Sequence, residues 1–232
     1  KGDFPMVANN LYERNKVLTS YIDSIKCEEI FDKSKETAIA GEIRSMELKK
    51  WFELLLDAQN PHVVDEAILN SIEELYDDDA LTGTKEQLSA LRQSSVTSEE
   101  QESFDPDFLI KLESALLFLD QIDKKRKLFQ SVYNSLNSGN QCDHILHPDT
   151  IWNTDVLDAR IAQLKHRFIK ANLHIVVTIA KRYDFGMVPL TDLIQEGNMG
   201  LIDAVDRFNH TMGYQFSTFA SSWIRNAIRK AL

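Results

Sequence analysis

Phe208, Tyr214, Phe216, Phe219 and Trp223 fall within sixteen positions, interleaved with Asn209, His210, Gln215, Ser217, Thr218, Ser221, Ser222 and Asn226. Flat aromatic faces bind unstacked bases at about 1–3 kcal/mol per base, and polar edges add hydrogen bonds, so this composition suits single-stranded nucleic acid. The plainer explanation is that aromatics at helical spacing are core. Helix geometry separates the two: Phe216, Ala220, Ile224, Ala227 and Ile228 share one stripe and are expected core, whereas Phe219, Trp223, Asn226 and Lys230 share another. One greasy face and one mixed face on the same helix favour a ligand surface over simple burial.

A second constellation precedes it. A helix over about 190–208 is expected to bury Leu193, Ile194, Leu201, Ile202, Val205 and Phe208, and to show Asp192, Gln195, Glu196, Asn198 and Met199 on its other face. A polar surface around one apolar spot suits a protein interface as well as a solvated helix. Gly197 and Gly200 each lower helix propensity by about 1 kcal/mol relative to Ala, which points to close approach of another helix. No phosphate-binding glycine loop, nucleophile elbow or paired-carboxylate motif occurs, so neither an enzyme nor a cofactor is expected. Cys142, His144 and His147 have no fourth ligand at zinc-finger spacing, and no metal site is expected.

These residues need helices to position them. With eight Gly and five Pro in 232 residues, breakers are few, and the apolar spacing is helical in most segments, so the fold class is all-α, a helical bundle. A first helical pair is expected within residues 8–59, with Tyr21, Ile22, Ile25, Ile30, Phe31, Ile39, Ile43, Leu48, Trp51, Phe52 and Leu55 at three- and four-residue intervals. Residues 63–76 and 107–136 carry further helical stripes, and 158–183 form a long helix burying Ile161, Leu164, Phe168, Ala171, Ile175, Val176 and Ile179. Asp77–Thr84 and residues 94–106 read as mobile connections. No apolar run is long enough to span a bilayer, the N-terminus lacks the layout of a signal peptide, and the two cysteines share no motif; a cytoplasmic protein is expected.

The net charge of −10 is unevenly spread. Residues 61–110 hold thirteen Asp and Glu against two Lys and Arg, leaving about +1 for the rest of the chain. From residue 156 onward ten basic side chains meet six acidic ones. A nucleic-acid surface is therefore feasible at the C-terminal end, while the acidic middle would repel phosphates.

Three runs stand at this end: Phe168-Ile-Lys-Ala-Asn-Leu-His-Ile-Val-Val-Thr-Ile-Ala-Lys-Arg182, Leu190-Thr-Asp-Leu-Ile-Gln-Glu-Gly-Asn-Met-Gly-Leu-Ile202 and Gly213-Tyr-Gln-Phe-Ser-Thr-Phe-Ala-Ser-Ser-Trp-Ile-Arg225. In order and spacing they resemble the central domain of bacterial sigma factors of the sigma-70 family. The resemblance covers about sixty-five residues. It implies a transcription initiation factor that binds core RNA polymerase through Asp192, Gln195, Glu196, Asn198 and Met199, which match the face docking on clamp helices of the largest subunit. It also implies recognition of the minus-ten promoter element, with a nontemplate-strand base extruded from the duplex. By position, Phe208 and Phe219 would pack on that base, Asn209 and Met212 would read its edge, and Tyr214, Gln215 and Thr218 would border the single strand. Asn226 and Arg229 match contacts to the upstream base pair, Arg225 and Lys230 suit phosphates, and Phe216 completes the aromatic set. An anti-sigma factor is a further candidate partner. Residues 8–59 resemble the short segment preceding the central domain, 60–154 match a variable acidic insertion in place and charge, and 155–232 correspond to the central domain itself.

Three departures retune this expectation. Ser222-Trp223 replaces the two adjacent tryptophans that usually wedge the duplex open, Met212 stands where a basic residue is common, and Asn209 where a carboxylate is common. Family members also continue past the position of Leu232, so a piece of a longer protein is expected. Two alternatives stay open: a helical polymerase-binding protein that does not open DNA, and a double-stranded groove binder.

Overall fold

The computed structural model of the chain describes residues 19–57, 61–93, 106–123, 127–137 and 146–232. Every regular element among them is helical: α1 (residues 19–26), α2 (Lys33–Leu55), α3 (Pro61–Leu75), α4 (Asp78–Gln93), α5 (Pro106–Ile122), α6 (Leu128–Asn137), α7 (Pro148–Ala180), α8 (Leu190–Arg207) and α9 (Phe216–Ala231). Short 3-10 turns occupy Lys181–Tyr183 and His210–Met212. The helices α3, α5 and α7 each begin on a proline, whose missing N–H is no loss in a first turn. None of the described helices is long and apolar enough to cross a membrane.

The chain divides into two compact units, residues 1–43 with 162–232, and residues 44–161. The division falls inside α2 and α7, rather than after residues 59 and 154, where composition and family likeness place segment boundaries. Residues 44–161 hold 23 acidic against 11 basic side chains, while the other unit holds 13 against 15, so the net negative charge belongs to the former.

In the unit of residues 44–161, Trp51, Leu54 and Leu55 of α2 pack with Ile68 and Ile72 of α3, Leu91 of α4, Phe108, Leu112 and Leu119 of α5, and Val132 of α6. Two sequence expectations change here. The stretch Asp77–Thr84 is not a connection but the start of α4. Asp77 accepts a hydrogen bond from the Ala80 amide at 3.0 Å, capping the first turn, and Gly83 leaves room for the Phe118 ring, 2.3 Å from where a Cβ would stand. The stripe over 107–136 is two helices. Asp123 ends the first and caps the second, accepting from the amides of Lys127 at 2.8 Å and Leu128 at 3.1 Å while the Tyr76 hydroxyl donates to it at 2.9 Å. Both changes come from single carboxylates that outweigh composition. Residues 94–105 and the pair Cys142 and His144 lie outside the described residues, as do residues 8–18 of the first expected helix. Among the described residues no group of His, Cys, Asp and Glu could hold a metal.

The other unit is built on α7 from residue 162 onward, α8 and α9. All seven residues expected on the buried stripe of α7 are buried, from Ile161 to Ile179. The helix begins at Pro148, ten residues before the expected start, and Lys181 and Arg182 continue it as a 3-10 turn. In α8, Leu193, Ile194, Leu201 and Val205 are buried as expected. Ile202 is not: it is 39% exposed, because its position one residue after Leu201 turns it toward the polar face. Gly200 explains how closely α8 meets α9. A Cβ there would stand 2.8 Å from the Trp223 carbonyl oxygen and 3.0 Å from the Ile224 Cα, so the two backbones touch where the side chain is missing.

Candidate nucleic-acid interface

The segment between α8 and α9 sets the aromatic side chains. After Arg207 the chain leaves the helix, and Asn209 Oδ1 accepts from both the amide of Thr211 at 3.0 Å and its hydroxyl at 2.7 Å. Gly213 then adopts φ +78°, a left-handed conformation that favours glycine, and reverses the chain into α9. The carbonyl of Gly213 accepts from Lys33 Nζ at 3.0 Å. Asn209 remains exposed, but its carbonyl oxygen is committed to this turn, which leaves its amide as the group free to face a ligand.

The rings form one connected array. Phe208 lies 5.8 Å from Phe219 and 6.3 Å from Tyr214, Tyr214 and Phe219 are stacked at 6.1 Å with 21° between their planes, and Phe219 lies 6.1 Å from Trp223. Tyr214 is exposed, and Phe208, Phe219 and Trp223 are half-buried, so each keeps part of a ring face or edge in solvent. Met212, Gln215, Thr218, Ser222 and Asn226 are exposed beside them, as are Arg229 and Lys230; Arg225 is half-buried.

Phe216 is different. It is 0% exposed and meets Phe168 edge-on at 4.7 Å and Phe208 edge-on at 5.1 Å, so it cannot touch a ligand and instead supports the array from beneath. Its assignment to the contact set is corrected on that ground: as the first residue of α9 it lies on the stripe continued by Ala220, Ile224 and Ile228, all fully buried. Ala227, expected with them, is half-buried.

On α8, Asp192, Gln195, Glu196 and Met199 are exposed and follow the i, i+3, i+4, i+7 spacing of one helix face. Ile202 extends the apolar spot begun by Met199, which is 61% exposed. Asn198 departs from this face. It is half-buried, and its side-chain amide donates to the Tyr21 hydroxyl at 3.2 Å.

Three contributors escaped sequence reasoning. The Arg207 guanidinium lies over the Trp223 ring, 4.8 Å from its centroid, a cation–π contact that holds the indole against α8. Lys33 and Glu36, from the start of α2, hold the turn before α9; the Glu36 carboxylate accepts a long 3.4 Å bond from the Phe216 amide. Nothing in local periodicity marks these pairs, which are far apart in sequence.

Burial pushes the Glu36 carboxyl above its ordinary value of 4.5; the Phe216 amide partly opposes this, and the Asp32 carboxylate adds to it. A carboxyl whose pKa is raised by folding contributes its full stability below about 4.5 and loses it as pH rises through the raised value. Glu36→Gln keeps the acceptor for Phe216 and removes the charge. The variant is expected to be more stable than the parent at pH 7, with the gap closing as pH falls through the raised value and gone below about 4.5. Denaturant melts across that range test this; a gap independent of pH would contradict it.

Residues 168–232 match the family described as sigma-70 region 2. The chain is 51% identical over 70 residues to the RNA polymerase principal sigma factor HrdC of Streptomyces coelicolor, covering 30% of this chain and 21% of that protein. It is 56% identical over 68 residues to RNA polymerase sigma factor SigA of Lactococcus lactis, covering 29% and 18%. A longer match, 38% identical over 113 residues, joins it to the principal sigma factor HrdD of Streptomyces griseus and covers 47% of this chain and 34% of that protein. The chain thus spans between about a fifth and a third of the length of these relatives. Residues 168–232 are thus similar to the sigma-70 region 2 of known RNA polymerase sigma factors.

Proposed function

We propose that this chain is the promoter-opening part of a transcription initiation factor. Asp192, Gln195, Glu196, Met199 and Ile202 bind the clamp helices of the RNA polymerase largest subunit, with Asn198 fixing α8 from within. The array of Phe208, Tyr214, Phe219 and Trp223 captures extruded nontemplate-strand bases of the minus-ten element. Residues 60–154 form an acidic insertion whose carboxylates repel phosphates.

The observation that carries this reading is the division of α9 into two faces. One stripe, headed by Phe216, is fully buried, while Phe219 and Trp223 join a partly exposed ring array bordered by Thr218, Gln215 and Asn226. Extruding a base costs a few kcal/mol of unstacking, and stacking on Phe208 and Phe219 with edge contacts from Asn209 must offset it. Met212 adds apolar contact, not charge, at the base edge. Asn226 and Arg229 meet the last upstream base pair, and Arg225 and Lys230 its phosphates. With Ser222 beside it, Trp223 supplies a single indole wedge, buttressed by Arg207. This favours promoters whose minus-ten element opens easily.

The test is a salt titration with a nontemplate single strand carrying a minus-ten element and with the matching duplex. The single strand is expected to bind more tightly, and Phe219→Ala to weaken it by about 1–3 kcal/mol. Equal binding of both forms would support a groove binder. Polymerase association without any DNA binding would support a partner that does not open DNA, the reading that the absent second tryptophan favours.

A further inference from the structure

A helix that is apolar all round is normally buried, and α5 is not. Ten of its 17 residues are Ala, Ile, Leu or Phe. Phe108, Leu112, Ala115 and Leu119 form its core stripe, the Phe118 ring meets Gly83 of α4, and Asp120 pairs with Arg44 of α2. The remaining face is turned to solvent: Ile110 is 63% exposed, Leu117 50% and Leu109 43%. Among the described helices, only α5 leaves three large apolar side chains exposed.

Ile110 and Leu117 stand two turns apart, about 10 Å along the axis, on the side opposite the core stripe. Glu113 lies between them, three residues after Ile110 and four before Leu117. It is exposed and has no ion-pair partner among the described residues. The one lysine of α5, Lys111, is held by Asp107 at 2.6 Å. The face is therefore an apolar stripe with an uncommitted carboxylate at its middle, in a unit of 23 acidic and 11 basic side chains.

Charge and area select the occupant. A second copy of α5, paired in either direction about the middle of the stripe, would bring two Glu113 carboxylates together and set one acidic unit against another. The three side chains expose on the order of 300 Å², the size of a functional patch on a monomer but well below the roughly 800 Å² per partner of a standard stable dimer. A single helix with apolar and cationic side chains meets both conditions, because its charge adds to a contact too small to hold by burial.

We propose that the outer face of α5 docks a basic amphipathic helix of another protein. Two apolar side chains of that helix seat on Ile110 and Leu117, and a Lys or Arg between them pairs with Glu113. The site lies within residues 44–161 and is independent of the surfaces of α8 and α9.

The experiment titrates the whole chain into two fluorescein-labelled helical peptides of about 18 residues and reads anisotropy. Both carry leucines at the same three- and four-residue spacing; lysine fills the other positions in one and glutamate in the other. The lysine peptide is expected to bind at least about tenfold more tightly, and Ile110→Gln/Leu117→Gln to weaken it at least about tenfold. Both side chains are exposed and Gln is a good helix former, so the circular dichroism of the variant should match the parent. Glu113→Lys is expected to shrink the preference for the lysine peptide at least about fivefold. Equal binding by the parent and the double variant would mean attraction to the acidic unit as a whole and overturns the site, as does a preference unmoved by Glu113→Lys. A parent that dimerises in sedimentation velocity, and no longer does so with Ile110→Gln/Leu117→Gln, overturns it in favour of a second copy.

Discussion

Replacing Phe216 with Ala is expected to cost about 3–5 kcal/mol of stability in the unit that carries α8 and α9, the usual range for deleting a fully buried aromatic ring. Its ring is sealed between Phe168 and Phe208, both edge-on to it within about 5 Å. The cavity would open directly under the proposed base-binding surface, so nucleic-acid affinity should fall as well, through displacement of Phe208. Hydrogen exchange of the α9 amides measures the first effect without interference from residues 44–161. The contrast with Phe219→Ala is informative, because Phe219 is half-buried and its loss should weaken single-strand binding while sparing most of the protection of α9. If Phe216→Ala left α9 fully protected, the division of that helix into a supporting stripe and a contacting stripe would be wrong.

Glu196→Lys is expected to weaken association with core RNA polymerase by about 2 kcal/mol or more, roughly thirtyfold, with helix content unchanged. Glu196 is exposed and has no ion-pair partner among the described residues, so reversing its charge breaks nothing inside the fold. Its neighbours on the same face are Asp192, Gln195 and Met199, and a new ammonium there would meet whatever cations the partner sets against the carboxylates. Like charges brought together at a desolvated contact cost several kcal/mol. A titration of labelled chain with purified core enzyme reads the effect. Association equal to the parent would take the docking role away from this face of α8.

The helical character of the fold was legible because it depends on local periodicity. The stripes of α7 and most of α8 and α9 follow from apolar residues recurring every three or four positions, and the structure buries them accordingly. Ile202 and Ala227 were misplaced because each sits at the edge of its stripe, where one helical step of 100° decides between core and solvent. The start of α4 was missed for a different reason. Acidic and small residues resemble a connection by composition, yet Asp77 caps a helix and Gly83 makes room for a ring.

Read alone, the chain's residue order settles its all-α class, the family of its last sixty-five residues and the two chemistries concentrated there, aromatic with amide and carboxylate with methionine, because these depend on residue types at short separations. Which ring supports and which ring is left partly exposed, the turning of Asn198 toward Tyr21 and the indole held under Arg207 were decided only when the helices packed. Each of these joins residues from separate helices, and the distances between such residues are set by interhelical packing that no local pattern encodes.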